Sequence, residues 1–308
     1  MLGQAGAQQV DDHVFLVGRP PIEEYLGFVV SQSVGGQNAN HGMLADEWRS
    51  ANDHIRELEK NEAGIANNIE TSSLDERLNR LTADVTADPV FQKCFQLVPT
   101  DIALVELDRL VVFQKAINLR YVDELQKGLG KNPSAESVFR FCLPHDHQIP
   151  PVKAMQIAQN AYAFLSPSMD FRAIGQAVLS KDQIVGYQPG GVMVGTVAIS
   201  VGYGPNYFSA IHVDGRLVLN NGSHRAYALR DMGVTRAPCL IQTVSRRDEL
   251  SAIGAGDLVA NPERYLDEVR PPLLKDYFDL KLRKLVKVPT KLRQIRVSIG
   301  IEQSDVPA

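Results

Sequence analysis

A mixed α+β fold (α/β mixed) is predicted by three observations. First, residues 43–60 place Leu44, Trp48, Ala51, Ile55 and Leu58 at three- and four-residue steps. Asp46, Glu47, Arg49, Asp53, Arg56, Glu57 and Lys60 fall on the opposite side, the pattern of an amphipathic helix with a solvated face. Second, residues 195–222, GTVAISVGYGPNYFSAIHVDGRLVLNNG, read as successive strands with turns at Gly204-Pro205 and Asp214-Gly215. Third, the two grammars alternate along the chain, with no internal repeat and no low-complexity tract.

The elements divide the chain into three stretches. Residues 1–97 form a mainly helical N-terminal region. It opens with the β-like HVFLVGRP and EYLGFVVSQSV, passes the turn-rich GGQNANHG, and adds a second short helix through Leu74, Leu78 and Leu81. The two amphipathic helices are expected to close a core within the chain; a homodimer contact is the alternative. Residues 98–245 form the core. FQLVPTDIALVELDRLVVF is β-rich, and INLRYVDELQKGLG is a helix stopped at Gly128 or Gly130. Within the core, residues 131–192 form an insertion dense in Pro and Gly, with a helix expected around VKAMQIAQNAYAFL. Residues 246–308 form an extension with helices in RRDELSAIG and NPERYLDEV, a stop at Pro271-Pro272, and a strand in KLRQIRVSIGIEQ.

Composition narrows the function. With 308 residues, 44% of them hydrophobic, the chain can bury one large core or two modest ones. A net charge of −4 argues against a protein that coats nucleic acid. No apolar run reaches the length of a membrane span, and MLGQAGAQQVDD lacks the basic-then-apolar pattern of a signal peptide, so a cytoplasmic protein without a membrane partner is expected. Cys94, Cys142 and Cys239 are odd in number and far apart, which indicates neither a disulfide framework nor a zinc site. His145-Asp146-His147 is the one His cluster. Beside Pro144 and without a third ligand at a recognisable spacing, it reads as a surface turn or a ligand contact, and no metal site is assigned.

Residues 215–244, GRLVLNNGSHRAYALRDMGVTRAPCLIQTV, are the most informative segment. Val218 and Leu219 close a strand, Asn220-Asn221-Gly222 turns the chain, Ser223 caps a helix, and Gly233 stops it. The turn delivers Ser223, His224 and Arg225 to a helix N-terminus, where unpaired N–H groups and the dipole favour an anion. Arg225 adds a planar cation suited to phosphate oxygens. A structural reading stands beside this one, with Ser223 only a cap, His224 a hydrogen-bonder and Arg225 an ion-pair partner of Asp231 or Glu249. Tyr203, Tyr207 and Phe208 read as core aromatics.

The segment VLNNGSHRAYALRDMGVTRAPCLI resembles the phosphate-binding element of the ParB/sulfiredoxin-like superfamily. Residues 105–130, VELDRLVVFQKAINLRYVDELQKGLG, are similar to that fold's opening strand, turn and helix. Together the two patches cover under a fifth of the chain. The resemblance implies a ParB/sulfiredoxin-like core that binds ATP or CTP with Mg2+, or another phosphorylated small molecule. Asn221, Gly222, Ser223, His224 and Arg225 would hold the phosphates, with Gln114 and Lys115 beside them. It also separates the activities. Sulfiredoxin chemistry needs a thiol where this chain has Ser223. The free serine kinases carry a His and an acid where this chain has Phe113 and Gln114, and an amide cannot accept a proton as a base. Glu106, Asp108 or Glu124 would have to replace that acid, so the candidate catalytic residues are His224 and Glu106. ParB proteins add a helix-turn-helix, which the Gly- and Pro-interrupted stretch after residue 245 does not show. NTP hydrolysis or phosphotransfer is therefore one reading, and a non-catalytic regulatory or assembly module another. A third, not favoured, is a nucleic-acid-associated protein using Lys281, Arg283, Lys284, Lys287, Lys291, Arg293 and Arg296; the bland reading of these residues is a solvated face and an edge strand.

Overall fold

The computed structural model describes residues 9–145, 149–168, 170–187 and 190–306. In chain order the elements are β1 (Val10–Leu16), α1 (Ile22–Gln32), α2 (His41–Asn61), α3 (Asn79–Ala87), α4 (Pro89–Cys94), β2 (Thr100–Glu106), β3 (Ala116–Asn118), α5 (Leu119–Leu129), α6 (Ala135–Cys142), β4 (Lys153–Ala158), β5 (Ala161–Ser166), β6 (Phe171–Ser180), β7 (Gly195–Tyr203), β8 (Ser209–Val213), β9 (Arg216–Asn221), α7 (Ser223–Asp231), β10 (Arg236–Thr243), α8 (Leu250–Ile253), α9 (Gly256–Ala260), α10 (Glu263–Leu266), β11 (Arg283–Pro289) and β12 (Arg293–Ser298). The mixture of helices and small sheets is an α+β fold.

The chain forms two compact units. The first takes residues up to 146 together with 206–290. Its larger sheet has the order β2-β10-β8-β9. β10 runs antiparallel to β2 and parallel to β8, while β8 and β9 form a hairpin. That hairpin turns at Asp214 and Gly215, both with positive φ (49° and 74°), the geometry whose twist matches paired strands. β8, β9 and β10 are buried along nearly their whole length, so they read as apolar runs rather than alternating ones. The smaller sheet, β11-β1-β3, is antiparallel, with Val14 opposite both Leu285 and Ile117. The second unit takes residues 147–205 and 291–308. It contains a β12-β5-β4 sheet and the β6-β7 ribbon.

Local chemistry explains where helices start and stop. Asn40 caps α2 by accepting from Met43 N–H, and Leu44, Ala51 and Ile55 are the face it buries. Asp88 caps α4, with Pro89 at the first helical position. Asn118 caps α5, which ends at Gly130 with φ +83°. Ser134 caps α6.

The boundaries drawn from sequence at 97/98 and 245/246 do not hold. β1 lies between β3 and β11, so the N-terminal region, the core and the extension share one sheet. The insertion 131–192 is also redrawn. α6 belongs to the first unit, where Phe139 and Cys142 are buried, and the excursion spans 147–205 and is joined by β12. The helix expected around residues 152–165 is the β4–β5 hairpin. Ala, Met, Gln and Leu favour helix locally, but Ala161 and Ala163 are buried while Tyr162 between them is exposed. β12 pairs along β5, and that pairing overrides propensity. Both N-terminal helices bury their apolar faces within the chain, but in different clusters. α2 buries its face in a cluster with Phe15, Tyr25 and Val286, whereas Leu78 and Val85 join the main core.

A buried ion pair fastens the back of the first unit. Arg270 and Asp276 are almost wholly buried and meet through two hydrogen bonds of 2.6 and 2.5 Å. Glu62, at the end of α2, accepts from Arg270 at 3.0 Å, and Asp276 also accepts from Leu273 N–H. Removing one partner strands a charge in the interior. Asp276→Ala is expected to lower the unfolding free energy by about 3 kcal/mol in urea titration; a change below about 0.5 kcal/mol would show the pair to be dispensable.

Candidate functional site

The Gly222 turn is built as the sequence suggests, but its side chains face elsewhere. Gly222 has φ +99°, and a Cβ there would lie 2.6 Å from the Phe208 ring, so glycine is required. Gly222 itself holds the cap position of α7, and no side chain caps the helix. Ser223 is thus the first helical residue and not the cap expected of it. The helix closes as expected: Val234 N–H donates to Leu229 and Gly233 N–H to Arg230, with Gly233 at φ +84°.

Arg225 is buried. Its Nη1 donates to the carbonyls of Phe141, Cys142 and Asn206 at 3.3, 3.0 and 2.7 Å, and its Nη2 donates to Asn206 Oδ1 at 3.0 Å. The guanidinium covers the carbonyl end of α6, where the helix dipole is negative. It pairs with neither Asp231 nor Glu249, and it does not project from the turn as a phosphate clamp. His224 is also committed. Its Nε2 accepts from Asn118 N–H at 3.0 Å, and the Tyr121 ring packs edge-on at 5.3 Å. Burial, with His13 nearby, pushes the imidazole down to about 4, so it is neutral at pH 7. A neutral ring whose Nε2 lone pair is occupied supplies no positive charge and no free base at that atom. Asn221 and Ser223 lie half-buried beside it.

The other predicted residues lie apart from the turn. Of the three acids that could replace the one missing at Gln114, Glu106 ends β2 and faces Arg109 at 3.9 Å, while Asp108 and Glu124 are paired with Arg230 and Arg120. Gln114 and Lys115 line a cavity of about 230 Å3 in the first unit, which none of residues 221–225 touches. Five segments converge on this cavity. Trp48 and Asn52 of α2 hold the loop after β1, donating to Pro20 O and Gly18 O at 2.8 and 3.2 Å. Gly18 approaches so closely that an added Cβ would meet Ala51 Cβ and Asn52 N at 2.9 Å. Phe113, Asp257, Arg264 and Tyr265 form other walls.

Charges alternate around this cavity. Lys115 bonds to Glu24 and lies 3.4 Å from Asp257, and Arg264 reaches the same two acids at 3.3 and 3.6 Å. Tyr265 and Asn261 also donate to Asp257. Burial alone would raise the Asp257 carboxyl, but the Tyr265 and Asn261 hydrogen bonds, with Lys115 and Arg264, hold it below the usual carboxylate range. Arg19 adds a third cation, its Nη1 3.4 Å from Glu59. Sequence reading missed Trp48, Arg19, Asp257, Arg264 and Tyr265, which come from distant segments with no motif linking them. The one usable signal was that Trp48 is the only tryptophan.

Other candidates resolve differently. Cys142 and Cys239 are buried and free; burial pushes the Cys142 thiol up to about 12 and raises that of Cys239. Tyr207 and Phe208 are core residues, and Tyr203 bonds to Ser166 within the second unit. His145 lies 3.5 Å from Asp88, and Asp146 and His147 fall outside the described residues. Among the described residues no group of three or more metal-ligating side chains converges. Of the basic run, Arg283, Lys284 and Lys287 lie on the edge strand β11 and Arg293 and Arg296 on the edge strand β12, with Lys284 and Lys287 paired to Glu47 and Asp12. No helix among the described residues is long and apolar enough to cross a membrane.

Two outcomes are expected from this geometry. Arg225→Ala removes the guanidinium from the Phe141 and Asn206 carbonyls and one of the two donors from Cys142 O, and should cost about 3 kcal/mol of stability, with Arg225→Lys restoring only part because it lacks the planar fork; equal urea midpoints for Arg225→Ala and wild type would refute the clamp. For His224 the pKa is depressed in the folded chain, so the stability held above pH 6.5 is lost as pH falls towards 4, by up to about 3 kcal/mol. His224→Gln, which still accepts from Asn118, should flatten that dependence, and parallel pH profiles for variant and wild type would exclude it. Comparison with known proteins finds no matching family model, no matching curated protein and no matching solved structure.

Proposed function

We propose that this protein binds a small phosphorylated molecule, nucleotides such as ATP or CTP with Mg2+ included, and that the cavity walled by Trp48, Lys115 and Arg264 takes the phosphate-bearing end. The observation that carries the proposal is the meeting of Gln114 and Lys115 with two further cations and an aromatic wall in one recess. The likeness of residues 105–130 to the ParB/sulfiredoxin-like superfamily supports the same reading. Lys115 and Arg264 are held by Glu24 and Asp257, so an incoming phosphate competes for cations already placed and oriented. Ligand sites for drug-sized molecules span roughly 300–1,000 Å3. A recess of about 230 Å3 therefore suits a phosphate with a short chain or a sugar, and the remainder of a larger nucleotide would extend outward. Mg2+ would arrive on the phosphates.

Binding without turnover is the form of the proposal that fits the side chains. His224 has its Nε2 occupied, Gln114 carries no carboxylate, and Glu106 lies away from the recess. A regulatory or assembly module fits these facts better than a phosphotransferase.

Trp48 gives a direct readout. Inorganic phosphate, AMP, ATP and CTP, each with Mg2+, should change Trp48 emission in a saturable way and raise the thermal midpoint by mass action for at least one of them. Lys115→Ala and Arg264→Ala should each weaken that binding about tenfold or more, whereas Ser223→Asp should leave it unchanged. Silence of both readouts up to millimolar concentrations sinks the proposal. Loss of binding in Ser223→Asp alone moves the site to the turn.

A further inference from the structure

Lys115 and Arg264 are neutralised by two acids that are held very differently. Asp257 accepts from Tyr265 and Asn261 and lies 3.4 and 3.6 Å from Lys115 and Arg264. With four partners and a side chain only 18% exposed, it is a fixed part of the recess wall. Glu24 reaches the same two cations from the first turn of α1. Its Oε2 accepts from Lys115, and its Oε1 accepts from Arg264 at 3.3 Å. Among the described residues no other side chain bonds to that carboxylate, and the Glu24 side chain is 37% exposed.

The backbone beneath Glu24 is secured without its carboxylate. The N–H groups of Glu24 and Tyr25 donate to Pro21 O at 3.0 and 3.1 Å, and Tyr25 and Val29 bury α1 in a cluster with Phe15. The side chain is therefore able to turn away while the helix stays in place. It has somewhere to go: no side chain caps α1, and the dipole at that first turn favours an acid. Pairs between partly exposed groups are worth only a few-fold each, so leaving them costs little.

Charge sets the consequence. With both acids in place, two cations meet two anions, and an arriving phosphate finds no net positive charge on the four groups. With Glu24 turned away, Lys115, Arg264 and Asp257 together carry one positive charge, and the donors that Glu24 held are open to a phosphate oxygen. An acid tethered beside its cations competes at a high effective concentration, on the order of millimolar. Asp257 still orients both cations when Glu24 leaves, so Glu24 is not needed to place them.

We propose that Glu24 is a built-in competitor for the recess, a tethered acid that holds Lys115 and Arg264 until a ligand phosphate takes its place. The inference rests on the reading of the recess as a phosphate site. Calorimetric titration of the full chain with inorganic phosphate and with AMP, each with Mg2+, tests it by the sign of one change. Glu24→Gln should tighten binding at least about threefold, and Glu24→Ala should act in the same direction. Glu23→Gln makes the same charge change one residue away on the exposed side of α1, and should leave the affinity at the wild-type value. Weaker binding in both Glu24 variants would make Glu24 a positioning residue and overturn the competitor. Affinities equal to wild type, or an equal gain in Glu23→Gln, overturn it too. Binding seen in Glu24→Gln but too weak to detect in wild type supports it. If neither wild type nor the Glu24 variants bind any probe, the phosphate reading of the recess falls and the competitor falls with it.

Discussion

The guanidinium of Arg225 is the constraint on which the first unit depends. It binds the carbonyls of Phe141 and Cys142, just before the chain leaves for the second unit, and the backbone and side chain of Asn206, just after it returns. Phe208 N–H also donates to Cys142 O, at 2.7 Å. The base of a long excursion is thereby tied shut from beneath by a residue of α7. The entropy of closing a loop rises only slowly with its length, so a few strong, charge-assisted bonds at the base suffice to carry a large insertion. Gly222 makes this possible. Its left-handed backbone starts α7 against the Phe208 ring, and the helix then presents Arg225 inward.

That arrangement changes the meaning of Asn-Gly-Ser-His-Arg. Arg225 closes the insertion, and His224 accepts from Asn118, which also caps α5 and donates to the buried carboxylate of Asp11. Burial opposes ionisation of Asp11, but hydrogen bonds from Arg120 and Asn118 prevail and hold its carboxyl below the usual range. The polar residues of the turn thus join β1, β3, α5, α6 and α7. Around Lys115 and Arg264, by contrast, opposite charges alternate against the aromatic walls of the recess.

Local signals in the sequence were reliable where the physics was local. The α2 stripe, the Asp214-Gly215 turn, the Gly130 and Gly233 stops and the strand in residues 293–298 depend on neighbours in sequence, and each is present in the structure. Long-range pairing was not legible. Nothing in HVFLVGRP announces partners at residues 116–118 and 283–289, and nothing in Ala161–Ser166 announces β12. The site divides in the same way. Gly222 could be recognised as a turn glycine, but the direction of Arg225 depends on Phe141, Cys142 and Asn206. The walls of the cavity come from segments that only tertiary packing brings together.

The position of β1 has a consequence for how the chain is made. β1 precedes the other two strands of its sheet in the chain, yet it is the middle one, and β11 follows β3 by about 160 residues. Until residue 289 has left the ribosome, one side of β1 has no backbone partner and Phe15 lacks Val286 and Val288 in its cluster. A sheet whose centre precedes its edge by most of the chain has a high contact order and forms slowly. Completion of the first unit therefore waits on β11, and one edge of β1 stays without its strand partner long after β3 is able to pair with the other.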